Sequence, residues 1–91
     1  MAHGRSGRAP RAELQQAVAH ALRGDWQSAH LIAQDYEEDD DASWIHAVVH
    51  RMEGDLANAR YWYRRCRRDL REGISTEDEL REIEAALADR A

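Results

Sequence analysis

The sequence predicts an all-α domain in which two helix-turn-helix units stack and a fifth, C-terminal helix caps them. Three observations carry this prediction. Apolar residues recur at helical spacing in five successive segments, and no segment alternates with period two for long enough to form a strand. Two Gly-Asp pairs, Gly24-Asp25 and Gly54-Asp55, each divide one such pair of segments. The chain also repeats itself with a period of 30 residues: laying 17–29 on 47–59 matches Ala17 with Ala47, Val18 with Val48, His20 with His50, Gly24 with Gly54, Asp25 with Asp55 and Ala29 with Ala59. Glycine supplies the backbone freedom a tight stop requires, and alanine lets paired helices approach closely.

Residues 1–9, "MAHGRSGRA", lack apolar periodicity and read as a flexible arm, native or left from cloning, ahead of a single helical domain over 10–91. Pro10 suits a first helical turn, and Leu14, Val18, Ala21 and Leu22 give helix one a stripe over about 10–23, stopped by Gly24. Asp25 caps helix two, about 25–36, with Trp26, Ala29, Ile32, Ala33 and Tyr36 at helical spacing. The acidic run 37–41 ends that helix and supplies the N-cap of helix three, about 42–53, since carboxylates favour the positive end of a helix dipole. Gly54 and Asp55 repeat the stop and cap. Helix four, about 55–72, carries Leu56, Ala59, Tyr63, Cys66 and Leu70 on a core face, bordered by Trp62, and stops at Gly73. Helix five, about 75–89, opens with a capping box from Thr76 to Glu79 and packs through Leu80, Ile83 and Leu87. Each hairpin alone leaves an apolar face open, so helix five covers the last face as a cap; a homodimer is the other way to cover it.

Composition narrows the function. A chain of 91 residues makes one small domain, and such a domain buries only about 60 to 65 % of its unfolded surface, which leaves no room for a deep interdomain cleft. No apolar run reaches the roughly 18 residues of a membrane span, and no signal segment opens the chain, so a cytoplasmic protein is expected. The single Cys66 excludes an internal disulfide and zinc sites built on cysteine pairs. Residues 37–54 sum to −5, residues 55–73 to +3 and residues 74–91 to −4. The Arg-rich segment therefore lies between two acidic ones that can neutralise it, which argues against nucleic acid as a partner. No Ser/His/Asp signature or Gly-rich phosphate loop points to an enzyme.

Two clusters carry chemistry. On helix four, Arg60, Arg64, Arg67 and Arg71 share a face, with Tyr61, Arg65 and Arg68 beside it. Forked guanidinium donors suit carboxylates or phosphates, so an acidic protein or peptide is the expected partner, needing no cofactor. A solvated or internally paired stripe is the competing reading. On helix three, His46 and His50 are spaced i, i+4 with Glu53 after them, and His30 can approach from helix two. That set would hold zinc or another divalent transition metal. Against it, His20 and His50 are repeat-equivalent and can serve packing alone, and the spacing is not that of a metallopeptidase helix.

The segment "AVVHRMEGDLANARYWYRRC" resembles a tetratricopeptide repeat, and Ala59, Trp62, Tyr63 and Cys66 are similar to its Sel-one-like branch, where alanine usually stands in place of Cys66. In the resemblance, Ala47 takes the small residue of the first helix, His50 the place of its usual tyrosine, and Gly54 the turn. Ala59, Tyr63 and Cys66 take the small, aromatic and last small residues of the second helix. The likeness covers roughly 14–70; Ala33 and Tyr36 depart from it, standing where an aromatic and a small residue are expected. The whole chain also resembles short uncharacterised bacterial proteins with D-W-x-x-A-H and H-A-x-x-H-R-x-E-G-D-x-x-N-A-x-Y-W-Y segments. The repeat resemblance implies an interaction module, with the Arg-rich face as its partner surface and the histidine metal site as the alternative.

Overall fold

The computed structural model describes residues 8–90, so most of the expected N-terminal arm and Ala91 lie outside the described residues. The elements are α1 (Arg11–Leu22), α2 (Trp26–Ala33), a 3₁₀ turn (Gln34–Tyr36), α3 (Asp40–Glu53), α4 (Leu56–Arg65) and α5 (Thr76–Ala88), with no strand among the described residues. The all-α prediction holds, and four of the five helices lie within about two residues of their predicted bounds once the 3₁₀ turn is counted with α2.

The two Gly-Asp junctions are built alike. Gly24 and Gly54 adopt φ of 85° and 88°, and the following amides of Asp25 and Asp55 donate back to the carbonyls of His20 and His50, both at 2.9 Å. This left-handed ending satisfies helix carbonyls that would otherwise lack donors. Asp25 then accepts from the Ser28 amide and Asp55 from the Asn58 amide, starting α2 and α4.

α1 pairs with α2, α3 with α4, and α2 packs on α3. α5 lies against α1 and α3, so it caps the first helices of both hairpins rather than the outer face of the second. This places α3 at the centre, and every residue from Ala42 to Val49 is buried. Burial extends beyond its Ile45, Val48 and Val49 stripe to the polar Ser43 and His46, because α2, α4 and α5 all pack on it. Ile45, Val48 and Val49 join Leu14, Val18, Tyr36, Tyr63, Leu80, Ile83 and Leu87 as fully buried side chains.

Helix four departs most from expectation. It ends at Arg65 instead of 72 because Arg67 turns left-handed, with φ of 61°. The Arg67 amide donates to Arg64 O at 3.1 Å and the Arg68 amide to Tyr63 O at 2.8 Å, the same reversal used after α1 and α3 but without glycine. A non-glycine residue costs about 1–2 kcal/mol in that conformation. Two contacts offset the cost: Arg67 pairs with Asp40 at 3.1 Å, and the Arg68 guanidinium lies 3.4 Å from the Trp44 ring centre. The core stripe expected for helix four is corrected accordingly. Ala59, Tyr63 and Cys66 are buried, Leu70 is half-buried beyond the helix, and Leu56 is 45 % exposed.

Two buried carboxylates lock the ends of the fold. Glu79, expected as a capping-box partner, is 1 % exposed; Ser75 caps α5 instead, accepting from the Asp78 amide at 3.0 Å. The Glu79 carboxylate accepts from Trp44 Nε1 at 2.8 Å, Arg51 Nη1 at 2.6 Å and the Tyr63 hydroxyl at 2.6 Å. It joins α3, α4 and α5 at one point. Asp39 caps α3 through the Ala42 amide and also accepts from the Ala9 amide at 2.7 Å and Arg90 Nη2 at 2.5 Å. The last residues of the expected arm are therefore anchored: Ala9 is buried.

Candidate functional site

The packing of α2 on α3 brings His30, His46 and His50 together. His46 belongs to the enclosed stretch of α3 and is 4 % exposed, His50 follows one turn later, and His30 reaches in from α2. His30 Nε2 and His46 Nε2 are 3.0 Å apart, and one nitrogen from each of the three rings falls within 4.8 Å of the others. The His46 and His50 rings stack at 5.1 Å, and His30 meets both edge-on at 4.6 and 5.5 Å. Trp62 of α4 closes one side by stacking on His46, with centroids 3.8 Å apart.

Two of the three rings, His46 and His30, are held toward the neutral form. Burial pushes His46 from its ordinary 6.5 down to about 3, and the neighbouring His30, His50 and Arg65 charges reinforce that direction. Burial also lowers His30, with His50 acting the same way against a weaker opposing pull from Glu53. Neutral imidazole is the form that ligates metal. His50 Nδ1 lies 3.0 Å from Glu53 Oε1; in the neutral tautomer that nitrogen carries the hydrogen and donates to the carboxylate, leaving Nε2 with the lone pair. Glu53 was expected as a ligand. It stands behind His50 instead, orienting the ring, and its oxygens group with His50 and Asp55 rather than with the three histidines.

The cluster leaves one polar atom unserved. His46 Nδ1 is buried without a hydrogen-bond partner among the described residues. Only one hydrogen can lie between His30 Nε2 and His46 Nε2, so His46 Nδ1 is either an orphan donor or an orphan acceptor, at about 1–3 kcal/mol. A tetrahedral zinc ion with Zn–N near 2.0–2.1 Å places ligand nitrogens about 3.3 Å apart. The closest pair here stands at 3.0 Å and the whole set within 4.8 Å, so rotations of the half-buried His30 and His50 rings suffice to reach that geometry.

The Arg-rich surface divides. Arg67 pairs with Asp40, Arg71 with Glu82 at 2.7 Å and more distantly with Glu79, and Arg65 with Glu38 at 4.0 Å. These are the acidic segments whose charge opposes the helix in sequence. Arg68 rests on Trp44. Tyr61 is 43 % exposed, and its hydroxyl accepts from Arg65 Nη1 at 3.3 Å. Arg60 has only a 4.0 Å contact to exposed Glu72, and Arg64 has no ion pair or side-chain hydrogen bond among the described residues. Arg60, Arg64 and Arg68 line a surface pocket of about 230 Å³ with Tyr63, Asp69 and Leu70. The early end of α4 therefore removes Arg67 and Arg71 from the predicted helical face. Cys66 is enclosed, and burial pushes its thiol up to about 11, which removes it as a nucleophile.

Sequence reasoning placed the three histidines but missed Trp62 as the lid of the site and Glu79 as the hub beneath α4. No family model, curated protein or solved structure matches the chain. No helix among the described residues is long and apolar enough to cross a membrane.

Proposed function

We propose that this chain is a small metal-binding helical protein in which His30, His46 and His50 hold one divalent transition ion, with zinc as the reference ion. The convergence of three imidazole nitrogens from two successive hairpins within 4.8 Å carries the reading. An ion there would tie α2 to α3, and each ring has a nitrogen that can serve as a ligand. Imidazole ligands suit zinc, copper and nickel better than magnesium or calcium. The single buried cysteine fits a reducing cytoplasm.

Isothermal titration of chelator-treated protein with zinc should give one ion per chain. His30→Ala and His46→Ala should each weaken binding by more than the roughly 10- to 100-fold expected for losing a group that only supports a ligand. Zinc uptake that is absent, or unchanged in both variants, would discard the site.

A second reading has its own observation, the pocket between Arg60, Arg64 and Arg68. It makes the chain a bacterial, tetratricopeptide-like interaction module for an acidic partner. Replacing Arg60 and Arg64 by Gln should change stability by no more than about 0.5 kcal/mol, because neither holds a close internal partner. The same change should abolish binding of a polyglutamate peptide, and binding by the parent should weaken with salt as charges are screened beyond about 8–10 Å. Peptide binding that ignores the two substitutions would remove this surface.

A further inference from the structure

We propose that the ion held by His30, His46 and His50 keeps one exchangeable coordination position, open on the His30/His50 side, that takes a small anion. This rests on the metal reading and specifies what the site would do. Three features lead to it.

The first is the ligand count. Among the described residues no fourth histidine, cysteine, aspartate or glutamate joins the cluster. The nearest carboxylate, Glu53, is held at His50 Nδ1, and the Cys66 thiol is turned to the carbonyls of Trp62 and Tyr63. Three protein ligands leave a tetrahedral ion with one position for an outside group, whereas sites that only brace a fold fill all four.

The second is access. His46 is sealed, with the Trp62 ring flat against it, while His30 and His50 keep part of their surface exposed, 12 % for the His50 side chain. An outside ligand can therefore approach past His30 and His50 without unfolding the core.

The third is charge. Three neutral imidazoles leave the ion its full double positive charge, since no carboxylate enters the shell. A doubly charged ion favours an anion over a neutral donor. Water would fill the position otherwise, and an ion of this kind lowers the pKa of bound water to about 7, the proton passing to solvent.

The test uses the full chain loaded with cobalt(II), whose visible bands report its coordination, titrated with sodium azide. The bands should shift saturably with one azide per cobalt. Cobalt that binds stoichiometrically but whose spectrum azide leaves unchanged would overturn the open position while leaving the metal reading intact. Failure of the parent to take up cobalt at all would overturn the metal reading and this inference with it.

Discussion

Glu79→Ala should destabilise the fold by about 3–5 kcal/mol, the largest single effect expected here. The carboxylate is 1 % exposed and serves three donors from two other helices: Trp44 Nε1, Arg51 Nη1 and the Tyr63 hydroxyl. Alanine would strand all three. The Arg51 side chain is itself only 11 % exposed, and the Trp44 and Tyr63 donors would be left without their acceptor. Arg71, 3.8 Å away, could not replace an acceptor because it is another cation. Single domains are stable by only about 5–15 kcal/mol, so the alanine variant should sit near the limit of folding at room temperature. Glu79→Gln keeps the volume and one acceptor oxygen and should fall between it and the parent. Urea unfolding of the three proteins checks the order. A glutamine variant as stable as the parent would show that the charge of Glu79 contributes nothing, and an unchanged alanine variant would remove the hub altogether.

Glu79 also shows where a local reading of the sequence stops. An acidic residue in the first turn of α5 looks like a capping partner, because that role needs only its neighbours in the chain. Its actual partners lie 16, 28 and 35 residues away, and only packing brings them together. Gly24 and Gly54 were legible for the converse reason: a left-handed residue is cheapest as glycine, so residue type announces backbone shape. Arg67 takes the same shape without announcing it, which is why α4 was expected to run on to Gly73.

The histidine cluster divides along the same line. The i, i+4 spacing of His46 and His50 places them on one side of any helix, and two consecutive hairpins bring His30 into reach. The role of Glu53 behind His50 depends on a ring orientation that spacing does not specify. Trp62 over His46 depends on how α4 lies across α3. The Arg-rich stripe looked uniform because helical periodicity was continued past the point where the helix ends. Once Arg67 turns, Arg60 keeps only its 4.0 Å contact to exposed Glu72 and Arg64 has no ion pair among the described residues, while Arg67 and Arg71 pair with acids on α3 and α5.

Metal-free protein should lose about 2 kcal/mol of stability between pH 7 and pH 5, from His46 alone. Its pKa is about 3 in the fold against 6.5 for an ordinary histidine. Between those values the unfolded chain binds a proton that the folded chain refuses, so stability falls as pH drops, by about 1.4 kcal/mol for each unit once the pH is well below 6.5. The loss begins near 6.5, the unfolded value, and is complete only below about 3. The lowered pKa of His30 acts in the same direction. Asp39 is also held below the ordinary carboxylate value of 3.8, but its contribution is lost only in more acid solution, so it does not confuse this window. Urea midpoints at pH 7 and 5 in the presence of a chelator measure the effect, and His46→Gln should flatten the dependence. Should that variant fail to fold, NMR titration of the parent gives the same answer, since the His46 ring should stay neutral at pH 5. Adding zinc should steepen the slope, because the ion and the proton compete for the same nitrogens. At zinc concentrations 100 times the dissociation constant the gain at pH 7 would be about 2.7 kcal/mol, and acid would remove it. Stability that stays level from pH 7 to 5, with the His46 ring protonating normally, would mean that the cluster is solvated and open rather than enclosed between α2, α3 and Trp62.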